Sequence, residues 1–168
     1  MKPAPIIFEP MGGEEIAHLT ELTLRSKRYW DYPHDILTKW GEAFTAPPDE
    51  AFTERRVVGA RAANFGPVVG YYALSSNNFG TNEVELTHLF VDPGMISMGY
   101  GRKLFDEAVR HAHQLGGHTL RVVCDAKAEP FYRHIQPSVE RVRDVSNPIP
   151  SYATFMLRFV IDVKPPNS

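Results

Sequence analysis

Hydrophobic and polar residues change their spacing several times along the chain, and each change marks an element. Ile6-Ile7-Phe8 is a short apolar run closed by Pro10 and Gly12-Gly13, which predicts a first strand. Glu14–Arg28 places Ile16, Leu19, Leu22 and Leu24 at near-helical spacing, which predicts an amphipathic helix. Tyr29, Trp30 and Tyr32 then crowd three aromatics into four positions before Pro33 and follow no helical stripe. They read either as a lid over the core or as the wall of a substrate pocket. His34–Phe44 is helical through Ile36, Leu37, Trp40 and Phe44, and Ala46-Pro47-Pro48-Asp49 breaks it. Val57–Ala60 and Val68–Leu74 predict two strands of an antiparallel hairpin around Asn64-Phe65-Gly66-Pro67. Asn77–Asn82 is a polar loop.

The strongest pattern follows. Glu83–Val91 reads as a strand that ends at the turn signal Asp92-Pro93-Gly94. Leu104, Phe105, Ala108, Val109, Ala112 and Leu115 form the apolar stripe of a long helix, stopped by Gly116-Gly117. Thr119–Cys124 is a near-continuous apolar strand, and Ala126–His134 is a short helix that Asp125 can cap. Val139–Val145 and Tyr152–Val163 predict the last two strands, joined by Ser146–Pro150, and Lys164–Ser168 is a frayed tail. The order is β-α-α-β-β-β-α-β-α-β-β, an α/β (α+β) arrangement in one domain over residues 1–168. A right-handed crossover through the long helix makes Glu83–Val91 and Thr119–Cys124 parallel neighbours.

Composition narrows the class. The chain has 168 residues, 43% hydrophobic and 23% charged, enough to bury a core without disulfides. A net charge of -2 gives no overall electrostatic case for nucleic acid. The single cysteine, Cys124, excludes an intrachain disulfide and a cysteine-based zinc site, and reads as a small buried hydrophobe. The apolar stretch before Glu9 is too short for a signal peptide, and no run is long enough for a transmembrane helix, so a cytoplasmic location is expected. No metal-ligand spacing is present: His111 and His113 lie two apart on a helix and cannot share a face.

The candidate chemistry starts between the strand and the long helix. Gly99 and Gly101 stand just before that helix, where backbone N–H groups can face a phosphate at the positive end of the helix dipole. A tight strand-to-helix turn also needs glycine, so the pair by itself decides nothing.

With its neighbours this stretch resembles the GNAT superfamily of N-acetyltransferases, over almost the whole chain. Glu85-Leu86-Thr87-His88-Leu89-Phe90-Val91-Asp92-Pro93 is similar to the family's fourth strand, which commonly ends in L-x-V-x-P. Gly99-Tyr100-Gly101-Arg102-Lys103-Leu104 is similar to the end of the acetyl-CoA signature, Q/R-x-x-G-x-G/A before a helix. Asp125-Ala126-Lys127-Ala128-Glu129-Pro130-Phe131-Tyr132 is similar to the family's N-x-x-A-x-x-F-Y segment. Arg25-Ser26-Lys27, Tyr29-Trp30-Asp31-Tyr32 and Ile149-Pro150 resemble a bacterial subgroup that mostly lacks assigned acceptors. Ile96 stands where the signature has Gln or Arg, and Ser97 where Gly often follows.

The resemblance implies the GNAT acyl-CoA N-acyltransferase fold, a mixed, mostly antiparallel sheet of about seven strands with about four helices. It implies acetyl-CoA as cosubstrate, no metal, and direct attack of a primary amine in a ternary complex. Main-chain contacts to the pantetheine arm fall on Leu89, Phe90 and Val91. Met98, Gly99, Tyr100, Gly101, Arg102 and Lys103 surround the pyrophosphate, and Asp125 and Phe131 complete the cofactor side. Tyr132 matches the family's tyrosine acid, and a phenol of pKa about 10 is protonated at neutral pH. Glu85 and His88 are candidate bases three apart on one strand, hence on opposite faces. Glu bases on this strand are frequent in the family, while an imidazole has the better unperturbed pKa, about 6.5. Tyr29, Trp30 and Tyr32, with the Ser146–Tyr152 loop, are expected to form the pocket for a small-molecule or peptide amine. A homodimer through terminal strands is also expected. The second reading, which Ile96 keeps open, is a CoA-binding regulatory or interaction module without catalysis.

Overall fold

A computed structural model of the chain describes residues 5–35, 37–38, 46–62, 66–75, 82–142 and 154–161. Seven strands are hydrogen-bonded in the order β1-β2-β3-β4-β5-β7-β6. The chain gathers into two compact units, Met1–Leu74 with His88–Asp106, and Ser75–Thr87 with Glu107–Ser168.

In the first unit β1 (Ile6–Pro10) runs antiparallel to β2 (Val57–Ala62), which runs antiparallel to β3 (Val68–Ser75). The expected hairpin is present, with a register shift at Ala60/Arg61. Helix α1 (Ile16–Tyr29) buries Leu19, Leu22, Thr23, Ser26 and Lys27. Its predicted first turn is instead a 3-10 turn, Gly13–Glu15. The proline pair, expected only to break a helix, also starts one: Pro48 is the N-cap of α2 (Asp49–Thr53), which buries Ala51 and Phe52. Five residues are too few for a period to show. These elements share a core of Met11, Leu19, Leu22, Phe52, Val57, Val68 and Tyr71, with Phe90 packed against it. Gly70 is required by close approach: a Cβ there would lie 2.7 Å from Leu104 Cδ1 and 2.9 Å from the Phe90 carbonyl oxygen. Of the predicted His34–Phe44 helix, His34, Asp35, Leu37 and Thr38 are helical, and the rest lies outside the described residues.

Strand β4 (Glu83–Val91) and helix α3 (Tyr100–Gln114) each begin in one unit and end in the other. In the second unit β4 pairs parallel with β5 (Thr119–Asp125), from Glu83↔Thr119 to Leu86↔Val122, as the crossover argument expected. Strand β7 (Thr154–Val160) is antiparallel to both β5 and the three-residue β6 (Glu140–Val142). Helix α4 spans Glu129–Ile135, three residues later in its start than the sequence suggested. Ala126–Ala128 form a turn, because the Asp125 carboxylate draws in two successive amides there. Gly116 stops α3 at φ +87, as a glycine C-terminal stop should. Glu83 anchors this unit: its side chain, 7% exposed, accepts from Arg158 Nε at 2.9 Å and Thr119 Oγ1 at 3.2 Å. The Ser146–Tyr152 loop and the tail lie outside the described residues.

Candidate functional site

The first unit carries the turn that the sequence marked for phosphate. Leu89, Phe90 and Val91 are all half-buried at the end of β4. Asp92 then fixes the chain's exit. Its amide donates to the Val69 carbonyl at 2.8 Å, and its carboxylate accepts the Gly94 amide at 3.1 Å and Arg25 Nη2 at 2.7 Å. Burial alone would raise the Asp92 pKa. The Arg25 and Gly94 bonds, with the charges of Arg25 and His18, outweigh it and hold the carboxyl below its usual range.

After a 3-10 turn at Pro93–Met95 the chain extends at Ile96 and enters the left-handed region twice, at Ser97 (φ +69) and Gly99 (φ +85). Helix α3 follows at once, and the Gly99 carbonyl accepts the Lys103 amide at 3.2 Å. The two-glycine reading needs correction. Gly101 lies inside the helix, so Gly99 and Ser97 make the turn. The amides of Tyr100, Gly101 and Arg102 have no carbonyl one turn back to bond, and a helix dipole adds positive potential there. Arg102 pairs with Asp106 at 3.6 Å with both side chains more than half exposed, and Lys103 is exposed. Met98 is exposed and Tyr100 buried.

The two candidate bases separate as strand geometry requires. Val84, Leu86 and His88 lie on the buried face of β4, while Glu85 and Thr87 alternate with them. Glu85 meets Arg121 Nε at 3.3 Å. His88 lies among aromatics, its ring centre 6.1 Å from Tyr71 and 6.2 Å from Phe90. The Tyr71 hydroxyl is 2.6 Å from Thr23 Oγ1, and burial pushes its pKa up despite that bond.

The aromatic segment is not a lid. Tyr29 completes α1, and its ring stands edge-on to Trp30 at 5.2 Å. Tyr29 is 55% exposed and Trp30 49%, so neither covers the core; Tyr32 is half-buried. Sequence reasoning assigned no role to the polar side chains that α1 turns inward, Thr23, Ser26 and Lys27. The available signal was their position: they continue the stripe of Leu19 and Leu22.

The second unit holds the remaining candidates. Asp125, buried at the end of β5, accepts the amides of Lys127 and Ala128 at 2.9 and 3.0 Å. It therefore caps the turn before α4, whose N-cap residue is Ala128. Tyr132 is buried, with Phe131 edge-on at 5.0 Å and Phe159 at 6.1 Å. Burial, followed by the charges of Cys124 and Asp125, raises its phenol pKa, so the hydroxyl keeps its proton across the neutral range. Burial, with Asp125 and Glu129, also pushes the Cys124 thiol up to about 12. Among the described residues no three His, Cys, Asp or Glu are placed to hold a metal ion, and no helix is long and apolar enough to cross a membrane.

Comparison with known proteins follows this geometry. The model of the acetyltransferase (GNAT) family matches residues 17–135. No curated protein sequence matches the chain. Among solved structures, the chain is similar to the PaiA N-acetyltransferase of Thermoplasma acidophilum in complex with coenzyme A. The identity is 14% and the TM-score 0.71, over 93% of this chain and 99% of that one. It is similar to the ribosomal-protein-S18-alanine N-acetyltransferase of Escherichia coli at 14% identity and TM-score 0.63, over 98% and 99%. It is also similar to yncA of Salmonella typhimurium with its cofactor acetyl-CoA, at 16% identity and TM-score 0.61, over 96% and 97%. At these identities the likeness is one of fold.

Proposed function

The chain belongs to the acetyltransferase (GNAT) family, and on that premise we propose that it transfers an acetyl group from acetyl-CoA to a primary amine by direct attack in a ternary complex. The observation that carries the reading is the turn at Ser97–Gly99. Two left-handed residues precede a 15-residue helix whose first amides have no helical partner. Such a turn fits a pyrophosphate by main-chain donation, so the absence of a basic side chain at Ile96 does not remove the cradle. Met98 to Lys103 hold the pyrophosphate in this reading, and Leu89, Phe90 and Val91 offer strand-like contacts to the pantetheine arm. Acetyl-CoA supplies an activated thioester carbon.

His88 takes the proton that the acceptor ammonium must lose before its nitrogen can attack. It is preferred to Glu85 because Arg121 engages the Glu85 carboxylate, while His88 sits two residues before Phe90 on the buried face. Tyr132, whose buried phenol holds its proton at neutral pH, gives that proton to the departing thiolate. Asp125 shapes the turn that presents Phe131 and Tyr132. Tyr29, Trp30 and Tyr32 contribute aromatic surface to the amine.

Calorimetric titration with acetyl-CoA and with CoA, followed by thiol release across a panel of amines, tests the reading. Binding of both with amine-dependent thiol release is expected. Binding without release over a broad panel would turn the assignment to a CoA-binding module, and no binding of either would remove the phosphate cradle.

A further inference from the structure

We infer that Arg25 is a positioning residue for the Ser97–Gly99 turn: it holds Asp92 from helix α1 and so sets where β4 releases the chain into the phosphate cradle; the inference rests on the cofactor reading above. The turn lies on the surface. Ser97, Met98 and Gly99 are exposed, and Ser97 and Gly99 stand in the left-handed region. Its placement depends on the points where the chain enters and leaves it. The leaving end is buried. Tyr100 opens α3 inside the protein, and Leu104 lies so close to Gly70 of β3 that a Cβ there would come within 2.7 Å of its Cδ1.

The entering end is Asp92, and each of its polar groups is bonded. Its amide donates to the Val69 carbonyl at 2.8 Å, next to Gly70, so both ends of the turn are referred to the same point of β3. Its carbonyl accepts the Met95 amide at 2.8 Å, and Oδ1 accepts the Gly94 amide at 3.1 Å, which closes the 3-10 turn at Pro93–Met95. Oδ2 accepts Arg25 Nη2 at 2.7 Å, the contact that comes from a different element. Because one carboxylate takes both Arg25 and Gly94, the charge-assisted bond from α1 orients the oxygen that Gly94 uses. The Asp92 carboxyl is held below its usual range, so it carries its charge at neutral pH. Glu21, 3.9 Å from Arg25 on the same helix, is largely solvated and does not fix the guanidinium. A half-exposed pair shifts the population of the correctly placed turn by a factor of about two to five, and cofactor affinity follows that population.

The test is a double-mutant cycle on acetyl-CoA affinity, read by calorimetry, with Arg25→Met, Asp92→Ala and the two combined. Arg25→Met is expected to weaken acetyl-CoA binding about two- to fivefold, raising its KM while kcat at saturation is kept. Arg25→Lys, which keeps the charge, should recover most of the loss. In the Asp92→Ala background Arg25→Met should cost nothing further, because Arg25 acts through that carboxylate. A further loss in that background would put Arg25 on the cofactor itself and overturn the positioning role. Unchanged affinity in Arg25→Met, with only its stability lowered, would make the pair purely structural and overturn it as well. Should the wild type bind neither acetyl-CoA nor CoA, the cofactor reading fails, and hydrogen exchange at the Gly94 and Met95 amides decides the positioning role separately. Exchange about two- to fivefold faster in Arg25→Met sustains it, and unchanged exchange overturns it.

Discussion

Ser97 adopts φ +69, a conformation that costs a residue with a Cβ about 1–2 kcal/mol. The sequence already set this position apart, because the signature it resembles often has glycine there; the backbone gives the physical reason. Ser97→Gly is therefore expected to raise stability by about 0.5–1 kcal/mol in denaturant unfolding, after the larger chain entropy of glycine is subtracted. A loss of stability would mean that the serine hydroxyl holds the turn. His88 and Glu85 are separable by their pH profiles. If His88 is the base, kcat/KM falls on the acid side as the imidazole protonates, and His88→Gln removes that limb while Glu85→Gln keeps it. The reverse outcome would move the role to Glu85. Cys124, buried and with its thiol raised from 9.0 to about 12, should resist thiol reagents near neutral pH and react once the chain is denatured. Because the raised value favours the protonated folded state, its stabilising share is full below pH 9 and is lost as pH climbs towards 12. Labelling of the native protein at pH 7 would contradict the buried placement.

At the scale of elements, long periodic segments and most short strands were legible, and the five-residue α2 was not. The stripe of α3 buries Leu104, Phe105, Ala108 and Ala112 as its spacing requires. The five-residue α2 carries too few positions for a period, whereas the strand expected over Val139–Val145 is present as β6 at Glu140–Val142, and residues 143–145 lie outside the described residues. Of the two readings of the aromatic cluster at the end of α1, the exposure of Tyr29 and Trp30 speaks against the lid and leaves the pocket wall open. The contact that joins α1 to the exit of β4, Arg25 to Asp92, had no local signal, since its partners lie 67 residues apart. The Asp92 carboxyl is held below its usual range, so its contribution is present above the unfolded pKa of about 3.8 and is lost as pH falls through the folded value. Arg25 is 39% exposed, which limits the pair to about 0.5–1 kcal/mol. Asp92→Asn should show that loss at pH 7 in denaturant titration and a flatter fall in stability below pH 4. An unchanged acid profile would make the pair incidental.

At the scale of the whole molecule, the family was legible because three motifs occur in order along one chain, and the family model matches residues 17–135. The chemistry was only half legible. Strand parity alone placed Glu85 and His88 on opposite faces; the ion pair of Glu85 with Arg121 follows from the parallel register of β4 and β5, which no local pattern carries. The approach of Lys27 Nζ to the Phe90 ring is a tertiary fact with no local signal in the sequence. The central claim is that this chain moves an acetyl group to an amine, with Tyr132 returning a proton to the thiolate. Amine-dependent thiol release by Tyr132→Phe, measured beside its acetyl-CoA affinity, tests it most directly. Turnover should fall about 100-fold or more while the affinity for acetyl-CoA stays within a few-fold of wild type. Turnover equal to wild type with the same acceptor would contradict it.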